Sequence, residues 1–192
     1  MPKKRPITDR YERTDDGRVV IDASVRTIED LYSNFERNVP YLKKDLDEEF
    51  VDFVTDSVDE IRGHDFTICI SLSTPADPAV TDRVRSSIHT FYAYLRELEI
   101  ASLKIMLRRS AILFSIGLVL LALAIHVAQR FAATPGVLPE VFTQGLTVAA
   151  WVSLWEAIAN VFLEWRPHRK RIKLFDRILI APVTFRHTPP AA

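Results

Sequence analysis

The sequence predicts an α+β membrane protein: a transmembrane helical hairpin joined to a small cytoplasmic α/β sandwich of about three strands. Residues 110–129 contain no Asp, Glu, Lys or Arg, and residues 141–163 contain one acid, Glu156. Each segment is long enough to cross a bilayer, which needs about 20 mostly apolar residues. The loop between them, 130–140, contains two prolines and a glycine, so it is expected to turn the chain straight back. Alternating apolar residues on both sides of the hairpin predict the sheet.

The basic residues beside the two spans predict the orientation of the hairpin. Lys and Arg accumulate on the cytoplasmic side of membrane helices. The connecting loop has only Arg130, which Glu140 offsets. Both termini are therefore expected in the cytoplasm. The flanking basic residues are Lys104, Arg108 and Arg109 before the first span, and Arg166, Arg169, Lys170, Arg171 and Lys173 after the second.

The length of 192 residues leaves room for one small soluble domain beside the hairpin. With a single cysteine, Cys69, the chain has no internal disulfide and no multi-cysteine metal site, which fits a reducing cytoplasm. The expected parts are a disordered N-terminal arm (1–18), a cytoplasmic α/β domain including the start of the long helix (19–109), the two-helix transmembrane hairpin (110–163), a basic interfacial helix and a strand returning to the cytoplasmic domain (164–187), and a disordered tail (188–192).

Three segments are predicted to be strands because large apolar residues alternate with small or polar ones. They are 19–25, 66–72 and 181–185. Pro182 should confine the last of them to an edge of the sheet, because proline donates no ladder hydrogen bond. Since both ends of the chain are expected on one side of the membrane, the three strands can form a small sheet with helices on one face.

Two helices are predicted between the first two strands. The segment 28–37 should form a short helix, which Pro40 interrupts. A longer acidic helix follows, with Asp45 and Glu48 as a capping box, apolar residues at spacings of three and four, and Gly63 at its end. Between Glu29 and Glu60 there are eleven acids against three basic residues, a net charge of −8, whereas 164–192 carries a net charge of +5. We expect these two segments to attract each other.

The longest predicted helix begins at Pro78, with Asp77 as its N-cap, and runs into the first span without a break before Gln129. After the second span, Pro167 is expected to stop or kink the helix. Residues 168–179 should then form a basic amphipathic helix along the inner leaflet, with Ile172, Phe175 and Ile178 on its apolar side.

No pattern in the chain indicates catalysis or a cofactor. The acids of 45–61 are spread over a helical surface, without the ligand spacing of a divalent-metal loop. Cys69 lies within a regular strand, and no motif supplies a base to activate it, so we expect a packed thiol. A phosphate-binding glycine loop is also missing from the sequence. We therefore expect a protein that is not an enzyme, has no cofactor and does not bind nucleic acid.

Three motifs resemble a family of uncharacterised bacterial two-span membrane proteins. They are Asp45-Leu46-Asp47 at the start of the acidic helix, His89 to Tyr94 in the long helix, and Trp151 to Glu156 continuing through Glu164 to Pro167. The layout is similar from about Val19 to Phe185. The resemblance implies two transmembrane helices, a small cytoplasmic α/β domain and a location in the bacterial inner membrane. That family has no assigned activity, so the resemblance contributes no catalytic residue.

Polar residues within the spans are the candidate functional residues. An acid in a span is disfavoured by about 2.5 to 3.5 kcal/mol, so Glu156 needs a partner. Glu156, Asn160 and Glu164 are spaced by four and share one helical face, and His126 lies near the outer end of the first span. One interpretation is a polar or protonatable path between helices. The other is a neutral Glu156 that joins helices by hydrogen bonds to Ser115 or to its counterpart in a second subunit.

Two functions remain open. The first is a membrane-anchored, non-enzymatic interaction or regulatory module that recruits an unidentified cytoplasmic protein. The alternative is a small homo-oligomeric channel or transporter lined by the second span. Both involve the lipid bilayer and self-association, and they differ in subunit number, since two helices alone cannot enclose a pore.

Overall fold

The computed structural model describes residues 10–32, 45–131 and 136–188. The chain divides into two compact units. The first unit combines Met1–Glu97 with Ile172–Ala192, and the second is Leu98–Arg171. The boundaries between the units therefore fall within the two long helices rather than at the predicted ends of the membrane spans.

A three-stranded parallel sheet organises the first unit. Its strands are β1 (Val19–Val25), β2 (Phe66–Leu72) and β3 (Val183–His187), in the order β1-β2-β3. The alternation predicted β1 and β2 with the observed ends, whereas β3 begins two residues later than expected. Pro182 lies just before β3, where its carbonyl accepts a hydrogen bond from the amide of Ile68. All seven residues of the central strand β2 are buried.

Helices cover one face of this sheet. They are α1 (Glu48–Glu60), the start of α2 (Pro78–Phe131) and the end of α3 (Val137–Ile180). The core is formed by every second residue of the strands, which places one sheet face against the helices. The main buried contributors are Val19, Ile21, Ala23, Phe66, Ile68, Ile70, Leu72 and Val183 from the sheet, and Phe50, Val54, Val58, Val84, Ile88, Tyr92, Phe175 and Ile178 from the helices.

The C-terminal part of α3 differs from the prediction. Pro167 lies inside α3, so residues 168–179 continue the helix and form no separate element. Leu174, Phe175 and Ile178 are buried in the core of the first unit. The expectation that this apolar side rests on the lipid surface is therefore wrong. The same spacing suits a lipid surface or a sheet, and here the sheet covers it.

The segment just before β1 is ordered, contrary to the expected arm over 1–18. The amide of Val20 donates to the carbonyl of Glu12 (2.8 Å), and Arg13 forms an antiparallel bridge with Val19. Gly17 makes the turn between them with a φ of +79°, a conformation that favours glycine. Residues 10–18 therefore protect the outer edge of β1. Residues 1–9 of the expected arm lie outside the described residues.

The N-cap of α2 is the predicted residue, whereas the N-cap of α1 and the extent of the first short helix differ from the prediction. Asp77 caps α2, because its carboxylate accepts from the amide of Ala79 (2.9 Å). The cap of α1 is Asp47, which accepts from the amides of Glu49 and Phe50. The prediction that Asp45 caps this helix is therefore wrong. The predicted helix 28–37 is a 3₁₀ helix over Ile28–Leu31, and residues 33–37 lie outside the described part of the chain.

The second unit consists of the remaining lengths of α2 and α3. Both helices are long and apolar enough to cross a membrane, with mean hydropathies of 2.6 and 1.6 in their most apolar windows. Large apolar side chains cover most of their outer surfaces, including Phe114, Val119, Trp151 and Trp155.

Candidate functional site in the apolar hairpin

The two helices of the second unit meet along a seam of small residues. Ser110, Gly117 and Ala124 of α2 are buried at intervals of seven, and so are Ala150 and Ala157 of α3. A side chain at Gly117 would place its Cβ 2.7 Å from Cγ of Leu154 and 3.1 Å from the Leu154 amide nitrogen. Such close approach is typical of helix pairs in membranes, where small residues let the backbones pack directly.

Glu156 lies away from this seam. It is exposed, whereas its neighbour Ala157 is buried, and successive helical residues are separated by about 100°. Ser115 is also exposed, and its hydroxyl donates to the carbonyl of Ala111 (2.8 Å). The predicted hydrogen bond between Glu156 and Ser115 within one chain is therefore wrong. The pairing of Glu156 with a second subunit stays a prediction.

The other candidate polar residues are likewise outside the tightly packed seam. His126 and Glu164 are exposed, and Asn160 is half-buried. Glu156 and Asn160 share one side of α3 because they are four residues apart. The structure thus does not bring the four residues together into a polar path between α2 and α3.

A stripe of small and polar residues runs along the outer side of α3. Gly145, Ala149 and Ser153 are spaced by four, and Glu156 and Asn160 continue the same side. A Cβ at Gly145 would meet nothing within 4 Å. This stripe therefore has the composition of a helix-packing surface, and Gly145, Ala149 and Glu156 on it are exposed. We call it the Glu156 stripe.

The basic end of the hairpin contains an ion-pair cluster that the sequence did not indicate. Nδ1 of His168 lies 2.7 Å from Oε1 of Glu99, and Arg171 lies 3.9 Å from the other carboxylate oxygen. Arg169 stacks on the ring of Trp165, at 5.0 Å from its centroid. Glu99 and His168 are 69 residues apart in the sequence, so no local spacing of residues indicates their contact. The contacts of Glu99 with His168 and Arg171 therefore tie α2 to α3.

A half-buried arginine of the first unit, Arg177, bonds to backbone carbonyls of other elements. Arg177 donates to the carbonyls of Val58 and His64 and lies over the ring of Phe66. Burial lowers the pKa of Arg177, which still keeps its proton because the ordinary value is about 12.5. Arg177 therefore supplies donors to the end of α1, a role that sequence analysis missed because the partners are backbone atoms.

The remaining chemical groups described in the first unit are a buried thiol and an open cleft. Cys69 is buried in β2, and among the described residues no three His, Cys, Asp or Glu side chains converge as metal ligands do. A cleft of about 420 Å³ between residues 10–12 and α1 has a mixed lining of charged, polar and apolar side chains, in which Glu60 accepts from the hydroxyl of Tyr11 (2.8 Å). We assign no ligand to this cleft.

Comparison with known proteins adds no assignment: no family model, curated protein or solved structure matches the chain. The family resemblance of the three motifs therefore stays a prediction.

Proposed function

We propose that this protein is a two-span protein of the bacterial inner membrane that self-associates through the Glu156 stripe and presents its α/β unit to a cytoplasmic partner. The observation that supports it best is the outward position of Glu156 on α3. The role is one of anchoring and interaction, without catalysis.

The energetic argument concerns the carboxyl group of Glu156. Leaving it in lipid costs about 2.5 to 3.5 kcal/mol, and the hydroxyl of Ser115 on α2 bonds to the Ala111 carbonyl instead. A second copy brings an identical carboxyl group to the same depth, so that the two side chains can hydrogen-bond each other across a symmetric contact. Gly145, Ala149 and Ser153 then allow the two backbones to approach closely. Self-association is thus the arrangement that satisfies Glu156.

Substitutions at Glu156 test this contact. Glu156→Gln keeps both donor and acceptor groups and should preserve assembly, whereas Glu156→Leu should weaken it by about 1 to 2 kcal/mol, the scale of such bonds in membranes. Subunit mass can be measured in detergent by sedimentation equilibrium. Gln144→Leu is the matched control, because Gln144 is also exposed on α3 but lies about 120° around the helix. Unchanged association of Glu156→Leu would refute the proposed contact.

The alternative function, a channel or transporter, draws support from the shared outward side of Glu156 and Asn160. In a ring of four or more copies this side can line a central path. Proton flux through liposomes separates the two functions. Flux in the wild type that is lost in Glu156→Gln, with the oligomer intact, would favour transport over anchoring.

The basic flanks predict the topology on which the proposal depends. Reporter fusions at Met1 and Ala192 should both give cytoplasmic signals, because the flanks of both spans carry the basic excess. A fusion within the loop at Gly136 should give the opposite signal. A periplasmic signal from either terminus would exclude the proposed orientation.

The exposed acids of α1 support a role in recruiting a protein partner. The outer surface of α1 carries a high density of negative charge, and the interior beneath it is packed. Electrostatic complementarity of this kind increases association rates with an oppositely charged protein. The exposed acids are Glu48, Glu49, Asp52, Asp56 and Glu60.

A further inference from the structure

A second uncovered surface lies on α2, on the side opposite the seam. It forms an open, shallow groove of about 450 Å³ that is lined by successive turns of α2 alone. Its lining is apolar apart from the charged head of one arginine and one hydroxyl group, and it is separate from the Glu156 stripe on α3. The lining residues are Arg108, Ala111, Ile112, Ser115, Ile116, Val119 and Leu120.

The groove has the length of an acyl-chain site. Ala111 and Ser115 are small and four residues apart, so they form a shallow floor beside the larger side chains of Ile112 and Ile116. The hydroxyl of Ser115 is already bonded to the Ala111 carbonyl, which leaves an effectively apolar floor. From Arg108 to Leu120 the helix rises about 18 Å. One leaflet of a bilayer is about 15 Å deep, so the groove spans one leaflet.

Positive charge is placed at one end of the groove only. Arg108 lines that end, and Lys104 lies one turn earlier on the same side of α2. Both are exposed, and within the described ranges neither makes an ion pair with a carboxylate. Arg171 and Arg169, by contrast, engage Glu99 and Trp165. The cations of the groove therefore remain available for a ligand.

We propose that this groove binds one anionic phospholipid, with its phosphate at Lys104 and Arg108 and one acyl chain along Ala111 and Ser115. The proposal rests on the bilayer insertion proposed above. The charge favours an anionic lipid over a neutral one. It also disfavours a symmetric contact with a second copy, since that contact brings the cations of both copies together.

Binding is testable by native mass spectrometry of the purified full-length protein in detergent, titrated with phosphatidylglycerol, phosphatidylcholine or glycerol phosphate. The wild type should bind phosphatidylglycerol at least tenfold more tightly than the other two. The double substitution Lys104→Gln and Arg108→Gln should weaken binding about twenty-five-fold, because each basic residue near an anionic headgroup contributes about a factor of five. Arg130→Gln is the matched control, because Arg130 lies in the last turn of α2, far from the groove. This variant should bind phosphatidylglycerol as the wild type does.

A groove-filling substitution, Ser115→Leu, tests the acyl-chain site while keeping the cations. Because Ser115 faces away from the seam, the variant should fold, which circular dichroism can verify. It should lose phosphatidylglycerol without a change in subunit number. A change in subunit number with lipid retained would overturn the proposal in favour of a second copy in the groove. Equal binding of phosphatidylcholine, or tight binding of glycerol phosphate, would overturn it as well.

Carbonate extraction of membranes distinguishes the failure of this proposal from that of the proposed function. Wild-type protein that remains in the membrane pellet but does not select phosphatidylglycerol contradicts the groove proposal alone. Protein released by carbonate contradicts bilayer insertion, and the lipid titration in detergent still decides the groove independently.

Discussion

Replacing Gly117 with leucine is expected to separate the two helices of the hairpin. Even a Cβ at this position would lie 2.7 Å from Cγ and 3.1 Å from the amide nitrogen of Leu154. The side chain of Leu154 can rotate, but its backbone cannot move without shifting α3. Overpacking of this kind typically costs about 1 to 3 kcal/mol. We expect a lower thermal unfolding temperature in detergent and a longer distance between spin labels on the two helices.

Gly145→Leu is the matched control, because a Cβ there meets nothing within 4 Å. It should leave the hairpin as stable as the wild type, or slightly more so, since glycine is a poor helix former. Gly145 belongs to the Glu156 stripe, so this variant should instead weaken self-association. Equal loss of hairpin stability in both variants would show that Gly117 and Leu154 are not in close contact.

Much of the fold follows from patterns that are local in the sequence. The alternation of apolar residues in 19–25 and 66–72 predicted two strands with their observed ends, because successive side chains of a strand point to opposite faces of the sheet. Uninterrupted apolar composition predicted the helical segments 110–129 and 141–163 in the same way, but not the continuation of α3 through Pro167. Asp77 capped α2 as expected, since Pro78 permits only the start of a helix at that point.

Features that depend on distant partners were not predictable from such patterns. Residues 10–18 are polar and look disordered by composition, yet they bond to the free edge of β1. The apolar side of 172–178 suits lipid as well as protein, and only the tertiary structure shows the sheet covering it.

The position of Glu156 shows the same limit at the candidate site. Depth along the helix correctly places Glu156 and Ser115 at similar levels, but depth does not determine on which side of the helix a residue lies. The seam is determined by where small residues allow close packing, at Gly117 and Ala150 among others. Each helix is rotated about its axis so that its small residues face the seam, and this rotation turns Glu156 and Ser115 outward.

Of the proposed substitutions, replacement of Tyr92 is expected to have the largest effect on the stability of the α/β unit. It is fully buried, its hydroxyl donates to the carbonyl of Val51 (3.3 Å), and its ring lies 6.0 Å from that of Phe175. Tyr92→Ala should therefore lower the free energy of unfolding by about 3 to 5 kcal/mol, the cost of an aromatic-sized cavity. Hydrogen exchange of the β2 amides measures this loss. Tyr94→Ala, at a position 51% exposed, should change it by no more than about 0.5 kcal/mol.

Tyr92→Phe isolates the hydroxyl group and predicts a pH dependence. Burial raises the pKa of Tyr92 in the folded state, whereas in the unfolded chain it is about 10. The folded state thus retains a proton that the unfolded state loses. The stability contributed by Tyr92 is complete below pH 10 and decreases above it, by at most about 1.4 kcal/mol per pH unit. Between pH 10 and 11.5 the phenylalanine variant should lose less stability than the wild type. Parallel loss in the two proteins would mean that Tyr92 titrates normally and is accessible to water.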